Sequence, residues 1–327
     1  MNAPSVSIVL LTFNQEQFVK EAFLSLLNQD LDNVEIVVSD DCSSDGTWEC
    51  IGSVAKSYLG PKKIIYSKNT KNLGIVDNFA AAVNIASGDL IFMAAGDDIS
   101  LPNRCSQSIQ FWLDNQQKYD LVAADAFDME FDGAILGVKK NSDLEHWTVE
   151  KWFQRRPYFF GASHMLTRRL LDLATLNNQL PYEDQCLVFR AILMGGAIRL
   201  PVPLVCHRRG GMTQAVQFKF AHRRAEIARD MARELLELQQ FLSDAIALGK
   251  ESLVKQLIAK KSAYCHALLR LFQNPVSLIS VRIFWGDQAL SVSDKRRYLR
   301  YYFLYPGLAI AHAVRDFIRL LKGKLTS

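Results

Sequence analysis

The sequence is poor in several features that would have placed it quickly. Its six cysteines (Cys42, Cys50, Cys105, Cys186, Cys206 and Cys265) are scattered, with no Cys-x-x-Cys pair and no histidine at zinc-site spacing. That excludes a disulfide-stapled scaffold and a zinc ribbon, and it fits free thiols in a reducing compartment. No uninterrupted apolar run approaches the roughly 20 residues needed to span a bilayer. The N-terminus enters a strand-like run at Ser5 with no basic region or cleavage site before it. These features point to a cytoplasmic protein, peripheral at most on the inner face of the plasma membrane. A large charge of one sign is missing too. The net charge of +4 is small for 327 residues, so no nucleic-acid partner is expected. Its distribution is uneven, with eight Lys/Arg residues and one acid, Asp316, from Lys295 onward.

What is present is a folded-protein composition, 49% apolar and 22% charged, and a regular alternation of patterns. Val6–Leu11 and Val34–Val38 are continuous apolar runs, as in strands buried on both faces. Ile64–Tyr66 and Leu90–Met93 read as two further strands. Between them, stripes through Phe18, Ala22, Leu26 and Leu27, and through Phe79, Val83 and Ala86, read as helices. The spacing predicts βαβ units and a doubly wound, mostly parallel sheet. Ligands of such sheets sit outside the carboxyl ends of the strands. Asp40-Asp41 and Asp97-Asp98 fall at those ends.

Further on, residues 101–119 read as a helix, 121–124 as a strand, 147–153 as a short aromatic helix and 159–166 as a strand. A helix follows from Arg168 and another spans 183–194. Pro201 and Pro203 make 198–206 an edge strand or an extended connection. From about Phe218 strand signals vanish. Helical patterns cover 225–248 and 253–272, and after Pro306 a stripe of Ile310, Val314, Phe317, Ile318 and Leu321 has His312, Arg315, Arg319 and Lys322 off it. The expected division is 1–215, an α/β domain, and 216–327, a helical region. That region is expected to lie on a membrane surface, to pack on the protein's own core, or to form a homo-oligomer.

Once assembled, residues 5–210 resemble glycosyltransferase family 2, the inverting sugar transferases of GT-A fold. The matching stretches are Val6-Ser7-Ile8-Val9-Leu10-Leu11-Thr12-Phe13-Asn14 and Ile36-Val37-Val38-Ser39-Asp40-Asp41-Cys42-Ser43-Ser44-Asp45-Gly46-Thr47. Asn72-Leu73-Gly74, Ala86-Ser87-Gly88-Asp89, Gly96-Asp97-Asp98 and Glu183-Asp184 follow in order. The resemblance implies a nucleotide-sugar donor, most simply a UDP-sugar, and a saccharide or lipid-linked acceptor, as in bacterial surface-polysaccharide assembly. It does not extend to the helical region.

A sugar nucleotide leaves as a diphosphate, so its negative charge must be neutralised as the bond breaks. Mg²⁺ or Mn²⁺ on carboxylate oxygens does this. The resemblance assigns that metal to Asp97 and Asp98, with Asp97 also beside the donor, and Ala95 stands where the family commonly carries a further acid. It places Thr12, Asn14, Asp40, Asp41 and Gly74 around the nucleotide, Arg208 on the diphosphate and Asp184 as the base for the acceptor hydroxyl. Ser163, His164 and Glu183 would line the acceptor side, and Gly210-Gly211 would let a loop close. Each has a plainer reading: an Asp pair capping a helix, a turn asparagine, acids at a helix start, a solvated basic turn. Two rivals stand beside the enzyme reading. A sugar nucleotidyltransferase needs a Gly-rich, basic loop after the first strand, which Thr12-Phe13-Asn14-Gln15 is not. A silent scaffold docked at a membrane has no use for Asp97, Asp98 and Asp184 together.

Overall fold

The computed structural model describes residues 4–210, 223–273 and 277–303. The expectations for Gly211 and for the stripe after Pro306 lie outside them. The chain starts with β1 (Val6–Thr12), α1 (Val19–Leu27), β2 (Val34–Asp40), α2 (Thr47–Ser57), β3 (Lys63–Lys68), α3 (Ile75–Ile85) and β4 (Leu90–Ala95). These strands lie in the order β3-β2-β1-β4, all parallel. The unbroken apolar runs explain why: Ile8, Leu10, Ile36, Val38, Leu90 and Phe92 share one core with Phe23 and Leu26 of α1 and Ile51 of α2. In this register Thr12 faces Asp40 and Leu11 faces Ala95, so three loops leave the sheet side by side. The Ala86-Ser87-Gly88-Asp89 stretch works at the opposite end. There Asp89 accepts from the Ser5 N–H and hydroxyl, and Gly88 lies where a Cβ would strike the Ser7 backbone.

The second half adds β5 (Ile99–Ser100), α4 (Arg104–Asp114), β6 (Leu121–Met129), β7 (Ile135–Lys139), α5 (Val149–Gln154), β8 (His164–Thr167), α6 (Arg168–Asp172), α7 (Asp184–Met194) and β9 (Ala197–Arg208). The sheet continues β4-β8-β6-β9-β5, with β7 folded back on β6 as a hairpin. Several expectations need correction. The predicted helix 101–119 is shorter, because Gln116 and Gln117 both take φ of 58° after its end. The predicted strand 159–166 is a strand only from His164, after a 3₁₀ turn at Gly161–Ser163. β9 is no edge: it runs parallel to β6 and meets β5 on its other side. Its two prolines are accommodated because the register slips there, from Ala124↔Leu200 to Asp125↔Pro203.

Beyond the sheet come α8 (Arg223–Ala247), α9 (Glu251–Gln273) and α10 (Leu278–Gly286), and residues 292–303 are helical. The chain divides into two compact units, Met1–Gln214 with Gln240–Val254, and Ala215–Gln239 with Lys255–Ser327. Residues 240–254, expected with the C-terminal region, are thus grouped with the first unit. There Phe241 packs on Phe189 of α7 at 4.1 Å between ring centroids, and Asp244 takes both forks of Arg190 at 2.9 and 3.0 Å. Arg190 and Asp244 are 1% and 0% exposed. Removing one partner of such a pair strands a buried charge and costs about 3–5 kcal/mol, although the intact pair adds little net stability. The second unit has a core of its own around Leu268, Leu271, Phe272, Phe284 and Tyr302. α10 turns Phe284 into that core and leaves Leu278 (81% exposed), Ile279 (73%), Ile283 and Trp285 outside.

Candidate active site

The β1 and β2 loops are laced together by side chains. Asn14, at φ 52°, accepts from the Ser44 N–H, and its own N–H goes to the Ser43 hydroxyl. Asn tolerates this left-handed backbone better than most residues. Asp40 is 0% exposed and accepts from the Thr12 hydroxyl at 3.0 Å, the Ser43 hydroxyl at 2.5 Å and the Ser43 N–H at 2.9 Å. Asp41 accepts from the Asn69 amide and from the Leu73 and Gly74 N–H groups. It therefore fixes the loop before α3, where Gly74 adopts φ 83°, a conformation suited to glycine. Of the five residues expected around a nucleotide, Asn14 is exposed, while Asp40 and Asp41 are occupied in shaping the walls.

Asp97 and Asp98 follow β4 and are both buried. Desolvation raises both carboxyls above the usual range, Asp98 well above it because Asp97 lies beside it. Arg208 at the end of β9 clamps the pair: its N–H donates to Asp98 at 2.9 Å and its Nε to the Asp97 carbonyl at 3.0 Å. The rest of the guanidinium donates to the Phe131 carbonyl and to Glu21, and lies over the Phe18 ring at 4.6 Å. Arg208 is thus held against the acid pair by protein groups. Gly96 packs closely, and a Cβ there would meet the Gln15 and Thr12 side chains. Among the described residues no three His, Cys, Asp or Glu side chains are grouped as metal ligands. The pair still fits a hard divalent cation: two desolvated carboxylates repel each other, and a cation relieves both effects. Asp97 and Asp98 would hold it, with phosphate oxygens completing the set.

The second acid pair opens α7. Asp184 accepts from the Gln185 N–H at 2.6 Å and lies against Gly161, where an added Cβ would approach its side chain to 3.2 Å. Burial raises its carboxyl and the Arg156 charge opposes that rise. Glu183 is pushed up to about 8, by burial first and by Asp184 second, and its buried Oε2 has no hydrogen-bond partner among the described residues. Ser163 donates to the Phe160 carbonyl, closing the turn. His164 is 1% exposed, and burial holds its ring neutral, down to about 3. It sits at the start of β8, inside the sheet.

The two acid pairs are linked by a chain of contacts. Asp98 bonds Arg208, the neighbouring His207 ring lies 4.3 Å from the Phe160 ring, and Gly161, next to Phe160, lies where an added Cβ would meet Asp184. His207 is not placed to ligate a metal through Nδ1, which accepts from Lys139 at 2.7 Å.

Three residues of the site escape sequence reading. Arg104 is buried beneath the first pair, donating to the Met93 and His164 carbonyls, and burial lowers it to about 10. Glu21 anchors Arg208 from α1. Arg156 donates to Gln185 at 3.1 Å beside Asp184. The one signal available for any of them is a basic residue in the helical turn that follows Asp98; Glu21 and Arg156 lie too far off in sequence.

The Glu183 shift has a measurable consequence. Its folded carboxyl, near 8, lies above the ordinary 4.5, so between those values the native state keeps a proton that the unfolded state has released. Stability must fall as pH rises through that window. Glu183→Gln removes this dependence. The melting temperature of the variant minus that of the parent is expected to increase from about pH 5 to about pH 8, and a constant difference would rule out a protonated Glu183.

Comparison with known proteins finds relatives in sequence and in fold. Over 173 residues the chain is 30% identical to an uncharacterized glycosyltransferase of Methanocaldococcus jannaschii, covering 52% of this chain and 58% of that one. Over 113 residues it is 36% identical to the abequosyltransferase RfbV of Salmonella typhimurium, covering 34% and 33%. It thus spans less than two thirds of either relative. The fold matches a mannosyltransferase from Pyrobaculum calidifontis solved with GDP-Man and Mn²⁺, at TM-score 0.52, 15% identity and 97% and 88% coverage. It also matches TarS of S. aureus solved with UDP-GlcNAc, at TM-score 0.54, 18% identity and 92% and 87% coverage. The sheet is therefore of the GT-A glycosyltransferase type. The sequence model of glycosyl transferase family 2 matches residues 7–172, half of the chain, and the chain belongs to that family.

Proposed function

We propose that this protein transfers a hexosyl or N-acetylhexosaminyl group, with inversion, from a UDP-sugar to a saccharide or lipid-linked hydroxyl. The observation that carries the reading is the pairing of two desolvated acid pairs around one connected cluster, Asp97-Asp98 with Arg208 and Glu183-Asp184 with Gly161. One pair suits a cation and a departing diphosphate; the other suits a proton. Asp184 takes the proton of the acceptor hydroxyl as its oxygen bonds to the anomeric carbon, and the bond from that carbon to the diphosphate breaks with its electrons on the diphosphate. A divalent metal at Asp97 and Asp98 would supply charge neutralisation for that leaving group. Arg208 holds the pair at its station, and Asn14 and the Gly74 loop border the nucleotide. UDP is favoured by the UDP-GlcNAc complex of a protein with this fold. The exposed Leu278, Ile279, Ile283 and Trp285 favour an acceptor presented at a lipid surface.

The test is a panel of UDP-, GDP- and dTDP-sugars with Mn²⁺ or Mg²⁺, read by nucleotide release and by donor binding. One UDP-sugar is expected to turn over, faster with acceptor in anionic vesicles than with a soluble saccharide. Neither release nor binding across the panel would end the enzyme reading. Release of a sugar phosphate with pyrophosphate would favour the nucleotidyltransferase instead.

A further inference from the structure

The assignment of Asp184 leaves two features without a use: Arg156, and the stretch from the end of α8 to the start of α9 that is grouped with the first unit. Arg156 lies in the segment after α5. It donates to the Gln185 side chain at 3.1 Å, one residue beyond Asp184, and its charge acts on the Asp184 carboxyl. Its guanidinium sits over two rings, Trp152 at 5.4 Å and Phe241 at 5.6 Å. An Arg stacked on aromatic faces is held in orientation by them. Phe241 lies near the C-terminal end of α8, within the stretch Gln240–Val254, and is wedged against Phe189, Trp152 and Phe153. The same region grips α7 elsewhere. Asp244 forks onto Arg190, and Lys250 donates to the Leu193 carbonyl at the helix end. Gln240 accepts from Asn177 and donates to Thr175, in the loop leading to α7.

We propose that Arg156 is a positioning residue for the carboxylate of Asp184, and that residues 240–254 hold it there through Phe241 while fixing α7 through Arg190–Asp244. This rests on the reading of Asp184 as the base. The physical need is specific. Two neighbouring acids buried together compete for one proton, and a base must be the one that ends up without it. Among the described residues Glu183 has no hydrogen-bond donor at its buried Oε2, whereas Asp184 has the Gln185 N–H and the Arg156 charge. The asymmetry leaves the proton on Glu183 and the negative charge on Asp184. The charged pair farther along the helix, Arg190 of α7 with Asp244 of α8, is neutral as a unit. The C-terminal end of α8 would thus act on proton transfer through one aromatic ring.

The test uses the full-length protein with ¹³C-labelled aspartate, the Asp184 carboxyl resonance being assigned by its loss in Asp184→Asn. In Arg156→Gln the titration midpoint of Asp184 should move up, and Arg156→Lys should restore part of the shift. Phe241→Leu keeps the bulk and removes the ring, so it should move the midpoint in the same direction and add nothing in the Arg156→Gln background. With the donor found in the panel, kcat/KM on the acid side should fall roughly tenfold in Arg156→Gln while donor KM stays put. An unmoved midpoint in Arg156→Gln overturns the proposal. So does a Phe241→Leu effect that persists in the double variant, which would mean general support of the fold. A raised donor KM with kcat intact would make Arg156 a donor contact and also overturn it. A moved midpoint with an unmoved rate profile leaves the positioning of Asp184 standing and rejects Asp184 as the base.

Discussion

Asp184→Asn should lower kcat by about 10²–10⁴-fold, the span that a positioned general base contributes, while the dissociation constant of the donor stays within about twofold of the parent value. The reasoning is local. Asparagine keeps the size of the side chain and an oxygen to accept the Gln185 N–H, so the start of α7 should survive. What it loses is the ability to take a proton. Because burial raises the parent carboxyl, the parent rate should fall on the acid side as Asp184 becomes protonated, and the variant's residual rate should be flat there. Single-turnover transfer and donor binding by calorimetry separate the two quantities. Retention of more than about a tenth of the rate would remove Asp184 from the role. Glu183→Gln serves as the control: a side chain that already carries its proton at neutral pH loses little when made permanently neutral.

At the other pair, Asp98→Asn should cost about 10²–10³-fold in turnover, the magnitude associated with losing one preorganised electrostatic contact to developing charge. Its signature is a pairing of effects. Asparagine can still accept the Arg208 N–H through its side-chain oxygen, and it no longer forces a charge into a buried site next to Asp97. Stability should therefore hold or rise while activity falls, with a melting temperature no lower than the parent's. Donor affinity should lose its response to added Mn²⁺. If turnover and metal response both persist, Asp98 is a structural acid that seats Arg208 and nothing more. If stability collapses instead, the raised carboxyl is stabilised by a contact stronger than the Arg208 N–H.

The sheet is legible in the sequence because its evidence is local. Continuous apolar runs such as Val6–Leu11 and Val34–Val38 suit strands buried on both faces, and the turn residues between them mark the βα steps. The acid pairs are legible for the same reason: each sits at an element boundary, where the pattern changes from apolar to polar. Parts of residues 99–166 are harder to read. β5 and β7 are short or exposed and carry no burial pattern, and the strand at 159–166 begins late because Ser163 closes a turn that composition does not announce. β9 resembles an edge because prolines argue against a central strand, and only the register slip at Asp125 resolves the conflict.

By itself, the order of residues determines that strands end in carboxylates at Asp40-Asp41 and Asp97-Asp98, and that a helix begins with Glu183-Asp184. Periodicity and helix-start chemistry act over a few residues, so one chain suffices to read them. Tertiary structure decides what each carboxylate is free to do. Asp40 and Asp41 look like their counterparts in sequence, yet Ser43, Thr12, Asn69 and Gly74 occupy their oxygens, whereas Asp97, Asp98 and Asp184 are left desolvated with raised carboxyls. Burial makes this difference, and the groups that temper it come from far along the chain: Arg208 for one pair, 110 positions from Asp98, and Arg156 for the other. Proton affinity is set by the hydrogen bonds and charges that surround a group in space. Those surroundings exist only once the chain has brought distant residues together.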